Sequence, residues 1–161
     1  MAASEWIVLV AGVRAVSGDA GKLLDRLRVE NPGVYLQAAD AQAVYGIDHV
    51  LGVVQIAFEA FSRKVMIAGR IETEVILRLA CTDQISDALK KAGLKAGMPG
   101  CFIALSKEAG AVRKLGEQLD QLDDSVLLPS KEKAAKISKA LGVDKITLDY
   151  LLERAAIMVR G

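Results

Sequence analysis

The chain has 161 residues, of which 52% are hydrophobic and only 4% aromatic, so its core must consist mainly of Val, Ile, Leu and Ala. This length predicts a single domain over residues 1–161 that buries roughly 70% of its unfolded surface and folds without disulfides or a metal. Lys and Arg total 21 against 20 Asp and Glu. The net charge of +1 excludes a polybasic, histone-like binder but leaves room for a local basic patch.

The two cysteines, Cys81 and Cys101, have no metal-ligand spacing, and we expect free, buried thiols. A disulfide is the alternative only for a protein from a hyperthermophile. The N-terminal apolar run follows Glu5 rather than basic residues and is far shorter than the roughly 20 residues of a membrane span. It is therefore predicted to be neither a signal peptide nor a transmembrane helix. We expect no association with a membrane.

Four short strands are predicted, at residues 6–11, 34–38, 101–105 and 126–128. The first is continuously apolar and rich in β-branched residues, which indicates a strand buried on both faces and central in its sheet. The fourth ends at Pro129 and is expected at a sheet edge.

Helices are predicted from periodic apolar stripes at residues 19–30, 48–62, 70–80, 83–92, 109–119, 130–141 and 144–160. The helix at 48–62 is apolar around most of its circumference and should be a core pillar. Short strands with helices grouped between them predict an α+β fold bordering on α/β. We expect a small mixed, partly antiparallel sheet of about four strands, flanked by helices.

The helix pair at residues 70–94 is the most strongly patterned part of the chain. Its first helix has an apolar arc too wide for a surface helix, so it should be mostly buried, with Glu74 and Arg78 paired one turn apart at its rim. The second helix should begin at Thr82 or Asp83, whose side chains can accept hydrogen bonds from its first turn.

The second helix carries a one-sided stripe of Ile85, Ala88, Leu89 and Ala92. Gly93 is expected to adopt the left-handed conformation that ends many helices, which would let Leu94 fold back on Leu89.

Two segments of this pair, EVILRL at 74–79 and QISDALKKAGL at 84–94, resemble the most specific block of the PRPK-binding protein (TPRKB) family. The resemblance extends to residues 6–13, 47–61 and 148–158, which correspond to the family's first strand, long apolar helix and last helix. Residues 109–129 match weakly.

This resemblance implies a noncatalytic, cytoplasmic adaptor with no cofactor and no small-molecule substrate. Members of the family bind the N-terminal lobe of the small atypical protein kinase in the KEOPS (EKC) tRNA-modification complex. They also help to hold tRNA, including its 3′ CCA end, while a separate catalytic subunit installs threonylcarbamoyl on the adenosine next to the anticodon.

Basic residues at the helix junction are the candidate tRNA contacts. Arg63, Lys64 and Arg70 flank the junction between the long helix and the 70–94 pair, where solvated helix ends are the plain alternative. His49 cannot form an acid–base pair with its helical neighbour Asp48. It is either a packed, hydrogen-bonded residue or a polar contact for the single-stranded CCA end at its helix end.

The last predicted helix supplies the candidate kinase contacts. One of its sides is apolar enough to dock on the domain, while Ile146, Tyr150 and Ile157 form a second apolar row on nearly the opposite side. This row is either covered by the preceding helix or exposed as a kinase-binding strip with a charged rim. We take the exposed strip as the hypothesis.

The rival hypothesis is a helix-turn-helix DNA-binding regulator formed by residues 135–153. Against it, the recognition helix would carry Asp144, Asp149 and Glu153, which phosphates repel. The glycines at 93–100 do not form a phosphate loop, because helix, loop and strand follow in the wrong order. No catalytic triad, carboxylate pair or metal-ligand cluster can be recognised from spacing, so we expect no enzyme active site and no metal.

Overall fold

Three strands and seven α-helices form within residues 5–159, the part of the chain that the computed structural model describes. The strands are β1 (Ile7–Val13), β2 (Tyr35–Asp40) and β3 (Gly100–Ser106). The helices are α1 (Ala20–Glu30), α2 (Ile47–Ser62), α3 (Ile71–Ala80), α4 (Ile85–Ala92), α5 (Ala109–Glu117), α6 (Lys131–Leu141) and α7 (Leu148–Ala156). Two 3-10 turns, Ala41–Ala43 and Asp124–Leu127, complete the set.

The sheet has the order β1-β3-β2, and both strand pairs are antiparallel. Every residue of β3 is buried, because this strand has neighbours on both sides. The α+β class is confirmed, but the central position predicted for the first strand is wrong, since β1 lies at an edge.

The fourth predicted strand is absent from the described residues, so the sheet has three strands rather than about four. Val126 and Leu127 instead lie in the 3-10 turn Asp124–Leu127, and Leu128 is its C-cap residue. The side chain of Asp123 accepts a hydrogen bond from the N–H of Ser125 at 3.0 Å, which bends the chain at the point where a strand would begin.

Helices cover both faces of the sheet. On one face, Ile103 of β3 belongs to a core that includes Val54 of α2 and Val75 of α3. On the other face, Leu27 of α1 and Leu115 of α5 pack in a second core. The long helix α2 is the pillar that its sequence predicts, because it packs on α3, α7 and the sheet.

The helix pair at 70–94 forms, but its second helix begins and ends differently from the prediction. Gln84 rather than Thr82 or Asp83 is the N-cap residue of α4. Gly93 has an extended conformation (φ −68°, ψ 147°) and pairs with Ala39 beside the sheet, so the left-handed cap does not form. Leu89 stays 51% exposed and is not covered by a returning chain.

The last helix is shorter than predicted. It begins after Thr147, whose side chain accepts from the N–H of Tyr150 at 3.0 Å, and it ends at Ala156. Residues 144–147 are not helical because this N-cap sets the first turn three residues later. Arg160, where the predicted helix ends, lies outside the described residues.

A buried ion pair connects α3 to two other segments. Arg78 Nε lies 2.9 Å from Glu74 Oε2, and the side chains are only 3% and 0% exposed, so the rim position predicted for this pair is wrong. The carboxylate of Glu74 also accepts hydrogen bonds from the backbone N–H groups of Ile67 (3.2 Å) and Ala68 (2.7 Å). Arg78 Nη1 donates to the carbonyl oxygen of Ala155 at 2.7 Å, at the end of α7.

We predict that Arg78→Met lowers the free energy of unfolding by about 3–5 kcal/mol, because it leaves the buried carboxylate without its counter-charge. Urea denaturation of the purified chain measures this. The matched control is Arg63→Met, which breaks the exposed pair between Arg63 and Glu59 at the same i, i+4 spacing. It should cost less than about 1 kcal/mol. Equal losses in the two variants would contradict a structural role for the buried pair.

Candidate functional site

The loop between α2 and α3, residues 63–70, separates two surface clefts. Its middle is fixed by the hydrogen bonds from Ile67 and Ala68 to the carboxylate of Glu74. The beginning of the loop lines one cleft and its end lines the other. The position of this loop therefore sets the shape of both.

The first cleft, which we call the aromatic cleft, has a volume of about 440 Å³. Its principal lining residues are Trp6, Tyr35, Phe61, Met66, Arg70 and Lys107. Three of the seven aromatic residues of the chain thus meet here. The Trp6 ring packs edge-on against Tyr35 at 5.7 Å and against Phe61 at 6.2 Å between centroids. Tyr35 and Phe61 remain 43% and 41% exposed, so flat apolar surface faces the solvent.

Two cations border the aromatic cleft. Lys107 Nζ lies 5.3 Å from the centroid of the Trp6 ring, and Arg70 Nε lies 3.2 Å from Glu72 Oε2. The Arg70 side chain is 73% exposed, so its other nitrogens can meet a ligand. Exposed aromatic rings beside accessible cations can stack a nucleobase and contact its phosphate.

The second cleft, which we call the C-terminal groove, has a volume of about 790 Å³. Its apolar lining comes from Ile56, Ala60, Val65, Ala156, Met158 and Val159, and its polar lining from Gln55, Glu59, Arg63, Lys64 and Arg78. Val65 and Val159 are largely exposed. Arg63 Nε lies 2.8 Å from Glu59 Oε1, and Arg78 is paired with Glu74, so three of the five polar residues are already paired. An apolar floor with a charged border is the usual anatomy of a protein–protein contact.

The three predicted kinase-binding residues do not form one exposed strip. Ile146 is buried with Ile137 of α6, and Tyr150 is partly buried against the same cluster. Only Ile157 is open to solvent, at 75% exposure, where it directly precedes the groove residue Met158. Ile146 and Tyr150 are therefore covered by the preceding helix, which was the alternative to an exposed strip. They do not share a row with Ile157, because α7 begins only at Leu148.

The predicted tRNA-binding residues are likewise divided. Arg70 borders the aromatic cleft, whereas Arg63 and Lys64 border the C-terminal groove. His49 is 1% exposed and lies in the core, where it cannot touch a bound RNA. Its Nδ1 accepts a hydrogen bond from the backbone N–H of Tyr45 at 3.0 Å. Of the two possibilities given for His49, the structure therefore has the packed, hydrogen-bonded residue.

Residues 5–159 contain no metal-ion cluster and no cysteine with a lowered pKa. No group of three or more His, Cys, Asp or Glu side chains in this range could hold a metal ion. Burial raises the pKa of Cys101 to about 12, and burial also raises the pKa of the partly exposed Cys81, so neither is an activated thiolate. Helices long and apolar enough to cross a membrane do not occur in this part of the chain.

The helix-turn-helix hypothesis loses support from the packing of α7. The residues that dock this helix, Leu151 and Ala155, are buried, and the charged side chains left exposed are Asp149 and Glu153. A recognition helix needs basic or neutral polar groups on its free face. The surface that α7 presents is acidic.

Sequence reasoning misses the aromatic cleft. The local pattern identifies Trp6 only as the start of a strand and Phe61 only as part of an apolar helix face. The one signal that the sequence offers for them is their rarity. Only 4% of the residues are aromatic, so a surface where several of them meet is unusual. Their convergence depends on strand order, which the sequence does not reveal.

The described residues thus form a small α+β protein with two surface clefts. The family model described as kinase binding protein CGI-121 matches residues 14–157, and the chain belongs to this family. The predicted family membership is thereby confirmed. A comparison with curated protein sequences finds no match.

We predict an acid-sensitive contribution to stability from His49. Burial lowers its pKa from 6.5 to about 4, so protons bind more tightly to the unfolded chain over this interval. The stabilisation is complete above about pH 6.5 and declines as the pH falls, by about 3 kcal/mol at about pH 4. Urea unfolding at several pH values measures this. His49→Gln should show a shallower loss between these limits, and parallel curves for the two proteins would contradict the assignment.

Proposed function

We propose that this chain is the noncatalytic adaptor subunit of a KEOPS (EKC) complex in the cytoplasm. It binds the small atypical protein kinase of that complex and helps to recruit tRNA for threonylcarbamoylation of the adenosine next to the anticodon. The observation that carries the proposal is the family match over residues 14–157, which makes kinase binding the basic activity. The two clefts beside the loop at residues 63–70 support separate surfaces for the two partners.

The C-terminal groove is the better candidate for the kinase. Its apolar residues come from α2, the loop and the end of α7, so a partner inserted there would contact three segments at once. Exposed Val65, Ile157 and Val159 supply apolar area that the monomer leaves in water. Burying this apolar area against a partner stabilises the complex, and residues around its border exclude water from the contact.

We predict that Val65→Glu together with Ile157→Arg lowers the affinity for the cognate kinase at least about tenfold, because it puts charges into an apolar contact. Both positions are more than half exposed, so the melting temperature should stay nearly unchanged. Co-elution followed by calorimetric titration measures the affinity.

The control is Val29→Arg on α1, an exposed apolar position on a helix of the opposite layer. It should leave kinase binding intact. Unchanged affinity in the folded double variant would remove the groove from the proposal, and failure of the unmodified chain to bind the kinase would contradict the adaptor function itself.

The aromatic cleft is the better candidate for the single-stranded end of tRNA. Splayed bases stack on exposed rings, and Tyr35 and Phe61 offer two of them beside Arg70 and Lys107. Arg63 and Lys64 lie on the other side of the same loop and are proposed as phosphate contacts for the double-stranded stem next to that end. His49 has no part in this proposal, because it is buried.

We predict that Arg70→Glu with Lys107→Glu weakens tRNA binding. The slope of the logarithm of the binding constant against the logarithm of the salt concentration should become shallower by about 0.7–0.9 for each phosphate that the protein no longer neutralises. The matched control is Lys22→Glu with Lys145→Glu, which makes the same change in net charge at two exposed positions away from the cleft. Filter binding over a range of salt concentrations measures both. The same slope in the two double variants would show that only net charge matters.

A second tRNA prediction isolates the 3′ end. Removing CCA from the tRNA should reduce the affinity of the unmodified chain, whereas it should hardly change the affinity of Tyr35→Ala with Phe61→Ala. Each stacked base contributes about 1–3 kcal/mol, so the loss is measurable. Equal losses on CCA removal in both proteins would place the 3′ end elsewhere.

A further inference from the structure

The two edges of the sheet are finished differently. In an antiparallel pair, alternate residues turn both N–H and C=O toward the partner strand, and the residues between them point away. On β1, Gly12 is an outward residue: its N–H donates to Asp124 Oδ1 at 2.9 Å, and its carbonyl accepts from the N–H of Asp123 at 2.8 Å. By the same alternation, Val8 and Val10 also point outward.

The outer edge of β2 is closed by the chain itself. The carbonyl of Leu36 accepts from both Nε (3.0 Å) and Nη2 (2.8 Å) of Arg28. The N–H of Ala38 donates to the side chain of Gln37 at 3.0 Å. An additional strand cannot be added there without breaking these bonds.

The outer edge of β1 is open between Val8 and Val10. Among residues 5–159, no hydrogen bond reaches the outward N–H and C=O groups of these two valines. Residues 7–10 are all partly exposed, unlike β3. Edge strands are usually protected from further pairing by charged residues or proline. Residues 6–13 contain neither. Such an edge is suited to accept another strand.

We propose that β1 pairs with β1 of a second copy of this chain, antiparallel and about a twofold axis at Leu9. Val8 of each copy then lies opposite Val10 of the other, and four N–H to C=O hydrogen bonds form. The two three-stranded sheets become one continuous sheet of six strands. The interface is isologous, as in most homodimers.

The length of the open segment favours a second copy as the occupant. The 3-10 turn at Asp124–Leu127 closes the edge at Gly12, so only the short run around Leu9 is available. This run is its own complement, because its two outward residues are symmetric about Leu9 and an identical strand satisfies all four groups. Since the strand is uncharged, two copies meet without repulsion.

Charge at the start of the strand favours the antiparallel direction. A parallel, in-register arrangement would place exposed Glu5 of one copy next to Glu5 of the other, and like charges on neighbouring strands destabilise a pair. The antiparallel register keeps the two Glu5 side chains apart, at opposite ends of the paired run.

Strand pairing of this length buries less area than a standard protein interface, so we expect a weak dimer with a dissociation constant roughly in the micromolar range. Sedimentation equilibrium of the full chain, from low to high micromolar concentration, should show a reversible monomer–dimer transition. Val8→Pro removes one outward N–H while sparing the bonds from β1 to β3, and it should weaken association at least about tenfold without unfolding the chain. A monomer at all concentrations would overturn the proposal.

Amide hydrogen exchange of the unmodified chain provides a test that does not depend on a variant. The amides of Val8 and Val10 should become protected only as the concentration rises, whereas those of Leu9 and Ala11, which face β3, should be protected throughout. Fast exchange at Val8 and Val10 in a demonstrated dimer would overturn the proposed edge. Protection that requires added kinase would also overturn it, by assigning the edge to that partner. Neither outcome affects the kinase groove or the tRNA cleft.

Discussion

The buried pair of Glu74 and Arg78 is the interaction on which the surfaces of this protein depend. Two charges in a core are costly unless every polar atom is matched. Here the carboxylate accepts hydrogen bonds from two backbone N–H groups of the α2–α3 loop, and the guanidinium donates a hydrogen bond to a backbone carbonyl in the last turn of α7. The pair therefore fixes one segment before α3 and one near the end of the chain. The role of the pair is to hold these two segments in place. A pair of apolar residues could fill the same space but could not bond to either segment.

These two segments are walls of the clefts. The loop at residues 63–70 lies between the aromatic cleft and the C-terminal groove, and the chain after α7 closes the groove on its far side. In the proposed function, a kinase in the groove and the 3′ end of a tRNA in the aromatic cleft would occupy neighbouring surfaces, with Arg63 and Lys64 at the border between them. This arrangement suits an adaptor whose product is a set of contacts, and it connects one ion pair within α3 to both clefts, although only Arg78 contributes to a cleft lining.

Local patterns in the sequence are sufficient for most helices and for the three real strands. The stripes of α2 and α3 have the helical period, and their caps and breaks lie nearby. What depends on distant parts of the chain is not predictable: the edge position of β1, the burial of Glu74, and the covering of Tyr150 by α6. His49 shows the same limit, since a lone histidine near a helix start has one pattern whether it faces the solvent or the core. The candidate clefts are only partly predicted, through Arg63, Lys64 and Arg70.

The most direct measurement is the affinity of Glu74→Gln for the cognate kinase, at a temperature where circular dichroism shows the variant to be folded. This change keeps the side-chain shape, removes the buried negative charge and alters no residue that lines the C-terminal groove. The account predicts that affinity falls several-fold or more, because the loop and the end of α7 lose their common anchor. Full affinity with the ion pair broken would contradict it.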